Sequence, residues 1–208
     1  MQIVLTALDA PLADAWQAAC GDLDFVEVHR GSIFDVRADT LVSPANSFGF
    51  MDGGIDMLYS RRFGWGLQER LQAAIKDRHH GELLVGQAEI VPTEGDPAWL
   101  IAAPTMRVPM ILGRETVAPY LAARAVLLLV KHGERDGAPV GSRVRRVAFP
   151  GLGTGIGRVP PEVCARQVRA AIDEVVLGIT AFPRGWDDAQ ERHVRLYADA
   201  ARDLQYYE

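Results

Sequence analysis

Val147-Ala148-Phe149-Pro150-Gly151-Leu152-Gly153-Thr154-Gly155-Ile156-Gly157-Arg158-Val159-Pro160-Pro161 runs from a short apolar segment, through four alternating glycines, into a proline-led helical pattern. A buried strand passing through a small-residue loop into a helix is the repeating unit of an α/β sheet. Glycine lets the backbone approach a ligand closely and reach positive φ, so successive N–H groups can converge on an anion. The start of the following helix adds favourable potential for phosphate. Spacing excludes two common phosphate motifs. The dinucleotide fingerprint needs a third glycine three residues after the second, and Arg158 stands there. A nucleoside-triphosphate loop ends in Gly-Lys-Ser/Thr, a sequence this chain lacks. The stretch also reads as a flexible connection, although ordering four glycines carries a considerable entropy cost.

Upstream, Ser43-Pro44-Ala45-Asn46-Ser47-Phe48-Gly49-Phe50-Met51-Asp52-Gly53-Gly54-Ile55-Asp56 has the same strand–loop–helix form. It gathers amides, hydroxyls, carboxylates and free backbone N–H groups at one end of a sheet, where ligands dock in open α/β folds. Asn46 can both donate and accept, which suits a sugar diol. Asp56 falls in the first helical turn, able to bind a hydroxyl or orient a water. A plainer reading stands beside this one. Asn46 is then a turn residue, Asp52-Gly53 a tight turn, and Asp56 a carboxylate complementing the helix dipole.

Working outward, Gln2–Thr6, Phe25–His29, Thr40–Val42, Ala88–Val91, Trp99–Ala102 and Arg146–Phe149 are short apolar runs that predict strands. Most are near-continuous rather than alternating, as in a sheet covered on both faces. Helices are expected over Pro11–Ala19, over Ile55–His79 in two pieces broken near Gly64 and Gly66, and over Thr116–His132, Pro161–Leu177 and Trp186–Leu204. Asp136-Gly137-Ala138-Pro139 and Thr93–Pro97 read as surface turns. The expected fold is a three-layer α/β/α domain with a mixed, mostly parallel central sheet. It occupies 1–208 as one domain, with a helical extension over about 186–206.

The 208 residues carry 22 Lys+Arg against 27 Asp+Glu, a net charge of -5, with 49% hydrophobic and 24% charged residues. That balance excludes disorder and lacks the basic footprint of a dedicated duplex-DNA binder. No apolar run is long enough to span a bilayer, and no signal peptide is evident, so a cytoplasmic setting is expected. Two cysteines, Cys20 and Cys164, fit core packing in a reducing compartment rather than a disulfide scaffold. The histidines at 29, 79, 80, 132 and 193 have no zinc-ligand spacing, and His79-His80 reads as a solvated helix end. Ser47 and Ser60 lack a nucleophile-elbow context. Arg143, Arg145 and Arg146 read as a solvated cationic patch, with a nucleic-acid contact second. The tryptophans at 16, 65, 99 and 186 read as core or interface anchors.

Together the two loops resemble the macrodomain family of ADP-ribose-binding modules. Its typical opening is a strand, Gly-Asp-Ile, then Asn-Ala-Ala-Asn leading to a glycine run and Val-Asp. This chain offers Arg30-Gly31-Ser32-Ile33-Phe34, Ser43-Pro44-Ala45-Asn46 and Gly53-Gly54-Ile55-Asp56 in that order. The family's late loop, Ala-Phe-Pro, two residues, then Thr-Gly-Ile-Tyr-Gly-Phe-Pro, is matched by Ala148–Pro160. The resemblance covers about residues 25–180. It implies a ligand diphosphate cradled by Gly151, Gly153, Thr154, Gly155, Ile156 and Gly157, and a distal ribose against Asn46, Gly53, Gly54 and Ile55. Ser32 and Ile33 fall at the family's adenine-side positions.

The departures have consequences of their own. Ser32 replaces the aspartate that reads the adenine amino group in many members, and Ser43 replaces the first asparagine. Gly157 replaces an aromatic beside the distal ribose, a place that Phe48 or Phe50 could fill. Ala103-Pro104-Thr105-Met106-Arg107 carries Met106 where one branch has a nucleophilic lysine, so lysyl chemistry is not expected. If the protein is an enzyme, the resemblance implies metal-independent hydrolysis at the distal ribose, with no cofactor. Asp56 would activate water and Asn46 would fix the sugar. The cleaved bond could join ADP-ribose to a protein carboxylate, a nucleic-acid end or an acetyl group. A non-catalytic reader of ADP-ribosylated partners is the rival reading, and a single-stranded RNA binder, resting on the arginine cluster, is a third.

Overall fold

The computed structural model describes residues 1–179 and 181–199. In chain order, β1 (Gln2–Ala7), α1 (Ala10–Cys20), β2 (Val26–Arg30), β3 (Thr40–Ser43), α2 (Gly54–Phe63), α3 (Gly66–Arg78), β4 (Glu89–Pro92) and β5 (Trp99–Ala102) build the first part. They are followed by α4 (Ala118–His132), β6 (Glu134–Arg135), β7 (Ala138–Pro139), α5 (Val140–Arg143), β8 (Arg146–Phe149), α6 (Pro161–Ile172) with a π-helical turn Asp173–Leu177, and α7 (Trp186–Arg195). Six strands form one sheet in the order β2-β1-β8-β3-β5-β4. All neighbours are parallel except β4, which runs antiparallel to β5 at the edge. The mixed, mostly parallel three-layer fold is therefore as expected.

The continuous apolar runs are explained by strand alternation between two cores. Ile3, Leu5, Val42, Ile101, Val147 and Phe149 face α1, α4 and α6, while Val4, Leu41, Leu100 and Ala148 face α2 and α3. Because both faces are covered, both sets of alternate positions are mostly apolar. Trp16 is fully buried in the first core, where its indole N–H donates to the Thr6 carbonyl at 3.3 Å. Cys20 and Cys164 are also fully buried, and burial pushes both thiols up to about 12.

Helix boundaries follow local chemistry. Asp9 caps α1, its carboxylate accepting the Leu12 N–H at 3.0 Å. Gly64, at φ +81°, stops α2 and separates it from α3, the break expected there. The π-helical turn after α6 ends on Gly178 in the left-handed conformation.

Four expectations need correction. The Asp136-Gly137 turn joins a two-residue hairpin, β6–β7, because both residues take positive φ and so match strand twist. Helix α7 ends at Arg195, short of the expected extension, and residues 200–206 of that extension lie outside the described residues. Arg146 is no free cation: it bonds Gln2, Glu27 and the Arg37 carbonyl, while Arg143 stacks over Trp99 at 5.8 Å. His79 is not simply solvated, since its Nε2 lies 3.0 Å from the buried Glu89 carboxylate, which also bonds Arg78 at 3.1 Å. Among the described residues no helix is long and apolar enough to cross a membrane.

Candidate functional site

Strands β1, β8, β3 and β5 are consecutive and parallel, so the segments leaving their carboxyl ends emerge side by side. Those segments begin at Leu8, Pro150, Pro44 and Ala103. The last two continue together past the sheet. The Ala103 N–H donates to Ser43 O at 2.9 Å, Thr105 N–H to Ala45 O at 3.3 Å and Ser47 N–H to Arg107 O at 3.1 Å. A cleft of about 340 Å3 opens between the four segments.

Both glycine-containing loops line it. Asn46, Gly53, Gly54, Ile55, Asp56, Gly151, Gly153, Thr154, Gly155, Ile156 and Gly157 all reach the cleft. Ser32 and Ile33 do not. Ser32 closes its own turn, its hydroxyl accepting the Phe34 N–H at 3.2 Å, and Ile33 is buried in the core against α2 and α3. Phe50, one of the two aromatics offered for the place left by Gly157, also lines it, and the structure adds Leu8, Asp52, Thr105, Met106, Pro109 and Pro150. Leu8 and Pro109 carry no chemical signal in sequence; only strand order places them here.

The four glycines of the late loop serve different ends. Gly153 takes φ +69°, which favours glycine. A side chain at Gly151 would collide with Leu12 and Thr154, and one at Gly157 with the Gly153 carbonyl. Gly155 has no positive φ, and a Cβ there would meet nothing within 4 Å. The protein's own packing thus does not require glycine at 155, on the cleft wall. The N–H groups of Gly153, Thr154, Gly155, Ile156 and Gly157 donate to no acceptor among the described residues, and the loop is a row of available donors. The helix start beside the cleft is that of α2, not of α6 as expected. The chain turns away at Arg158, which takes φ +53°, and Pro160-Pro161 offer no N–H groups.

Asn46 is engaged within its own loop. Its Nδ2 donates to Phe50 O at 2.8 Å, and its Oδ1 accepts the Phe48 and Phe50 N–H groups at 3.1 and 3.3 Å. The turn-residue reading is correct, and one Nδ2 hydrogen remains for another acceptor. Met51 pins the far end of the loop, its N–H donating to Gln68 at 2.7 Å and its carbonyl accepting the Ser60 hydroxyl at 2.8 Å.

Asp56 is 7% exposed in the first turn of α2. Burial pushes its carboxyl up to about 7, opposed by the Ser43 hydroxyl, which donates to Oδ1 at 2.5 Å. The helix start also favours the ionised form. Oδ2 accepts no hydrogen bond among the described residues. The site therefore holds a carboxylate that changes charge near neutrality, with one oxygen oriented and the other free.

A larger hollow of about 660 Å3 lies between α4, α6 and α7. Its charged groups are paired with one another or nearby, Arg124 with Glu174 and Arg192 with Asp188. Size alone does not make it the ligand site. The smaller cleft combines unpaired donors, a perturbed carboxyl and the sheet's carboxyl edge.

An α/β/α sheet with a glycine-lined cleft at the carboxyl ends of its central strands is the class that this fold and site define. A family model for the Macro domain matches residues 42–168, and the chain belongs to the macrodomain family. A Streptomyces griseus macro domain-containing protein is 31% identical over 159 residues, covering 73% of this chain and 81% of its own. An Aquifex aeolicus protein is 34% identical over 152 residues, 72% of this chain and 80% of its own. Among solved structures, the macrodomain of Mycobacterium tuberculosis DarG superposes with a TM-score of 0.54 at 21% identity, over 70% of this chain and 88% of its own. An Oceanobacillus iheyensis macrodomain variant with ADP-ribose gives 0.56 at 19% identity, over 68% and 73%.

Proposed function

We propose that the cleft binds ADP-ribose and that the protein hydrolyses ADP-ribosyl conjugates at the distal ribose. The observation that carries the reading is the shared cleft: five unpaired N–H groups on one wall and the Asp56 carboxylate on another. Convergent N–H groups suit a diphosphate, and fixed donors in a cleft need no reorganisation to meet its charge. Asn46, with one Nδ2 hydrogen uncommitted, and the Gly53-Gly54 turn line the same space and suit a ribose.

In the proposed reaction a water oxygen forms a bond to the anomeric carbon of the distal ribose. The bond from that carbon to the conjugate breaks, and its electron pair leaves with the departing group, a carboxylate in the case of an ester. Asp56 takes the water's proton and later releases it to solvent. Its ionised form is required for this, so activity rises with pH through about 7. Asn46 holds the sugar, and the substrate's own phosphate assists in orienting the water.

Turnover of a labelled ADP-ribosylated glutamate peptide by wild type and Asp56→Ala tests the reading. The expected result is turnover by wild type and a loss of ~100- to 10,000-fold in the variant, the usual contribution of a positioned base. Tight ADP-ribose binding without turnover by wild type would instead support a non-catalytic reader. The burial that opposes the Asp56 charge is the observation favouring that second reading.

A further inference from the structure

The cleft mouth carries more exposed apolar surface than a nucleotide needs. Phe50, Ile156 and Leu8 line the cleft and are all more than half exposed. Beside them, Val108, Met110 and Ile111 are 45%, 50% and 60% exposed, yet none of the three lines the cleft. The segment carrying them is not loose. Arg107 O accepts the Ser47 N–H at one end, and at the other the Leu112 and Gly113 N–H groups donate to Gly157 O at 2.8 and 3.1 Å. Three large apolar side chains are thus exposed on a short segment bonded to the glycine loop, and exposed apolar surface clustered in this way marks a contact surface.

Charge decides what it contacts. Arg107 is held by Glu82 at 2.6 Å and lies over the Phe48 ring at 5.1 Å, and Arg114 is paired with Glu162. Arg158 follows the glycine loop with no acidic partner among the described residues, but it does not line the cleft and is a single cation. A nucleic-acid track needs several free cations in a row, and an apolar rim offers the opposite.

We infer that Val108, Met110 and Ile111 form a docking rim for an apolar segment of the ADP-ribosylated protein, next to its modified residue. This rests on the proposed ADP-ribose site and adds a specificity surface outside it. The rim contacts the conjugate's polypeptide and not the nucleotide. Its removal therefore weakens binding of the conjugate while leaving free ADP-ribose affinity unchanged.

The test uses the full chain, as wild type and as the double variant Met110→Ser, Ile111→Ser, both on exposed positions. Affinity is measured for free ADP-ribose, for two peptides ADP-ribosylated on the same glutamate with leucine- or serine-flanked sequences, and for an end-ADP-ribosylated oligonucleotide. Wild type is expected to prefer the leucine-flanked peptide over the serine-flanked one by at least about tenfold, ~1.4 kcal/mol. The double variant should lose that preference and bind free ADP-ribose as wild type does. Equal binding of both peptides, a preference surviving in the double variant, or tightest binding of the oligonucleotide would each overturn the rim. Absence of any free ADP-ribose binding would overturn the site itself, and the rim with it.

Discussion

The Ser43 hydroxyl, at the end of β3, donates to Asp56 Oδ1 at 2.5 Å, joining two buried residues that lie 13 positions apart. The bond turns one carboxylate oxygen toward the sheet and leaves the other uncommitted. It also lowers the Asp56 pKa against the burial that raises it. The serine that departs from the family's usual asparagine is thereby tied to the buried carboxyl of the cleft wall.

Loss of that bond should therefore move the pH dependence of turnover. Ser43→Ala is expected to shift the activity midpoint above the wild-type value near 7, because the hydroxyl's preference for the charged carboxylate is gone. Ser43→Thr should restore the midpoint. A pH–rate profile of the three proteins checks this, and an unmoved midpoint in the alanine variant contradicts it.

Asp56 also sets a slope in stability. Its folded pKa, about 7, lies above the ordinary carboxyl value of 3.8, so the native state holds a proton that the unfolded chain releases between those values. That contribution is complete below about 4 and is lost as pH rises through about 7, at on the order of 1 kcal/mol per pH unit. Asp56→Asn should flatten the slope. Urea denaturation at several pH values between 4 and 8 measures the difference between the two proteins.

The late loop makes a sharper prediction about binding. Since a side chain at 155 meets nothing within 4 Å, Gly155→Val should fold with stability within about 0.5 kcal/mol of wild type, as exposed substitutions do. It should lose at least about tenfold in ADP-ribose affinity, because the branched side chain occupies the cleft wall. Normal affinity would mean the phosphates do not approach that wall.

Asn46→Ala combines both kinds of loss. Three hydrogen bonds to the loop backbone disappear, and stability should fall by about 1–2 kcal/mol. Binding and turnover should fall together, since the sugar contact is present in ground state and transition state alike. Chemical denaturation and calorimetry on the same preparation separate the two.

Much of this was legible in the chain because it is local. The six sheet strands show as apolar runs, Gly64 marks the break between α2 and α3, and both glycine-containing loops reach the cleft. What escaped depends on distant pairing. Leu8, Thr105, Met106 and Pro109 join the site only because β1, β8, β3 and β5 are neighbours in that order. Ser32 and Ile33 match the family by position, but local turn bonds and core burial draw them away from the lining. The arginines and His79 read as solvated because their partners, Glu27, Glu89 and Trp99, are remote in sequence.

The central claim is that one cleft holds both the diphosphate and the distal ribose of ADP-ribose. Calorimetric titration of wild type and Gly155→Val with ADP-ribose and with AMP tests it most directly. The account predicts one site per chain in wild type, ADP-ribose bound at least about tenfold more tightly than AMP, and marked weakening of ADP-ribose in the variant. Equal affinity of wild type for the two nucleotides, or no binding of either, would contradict it.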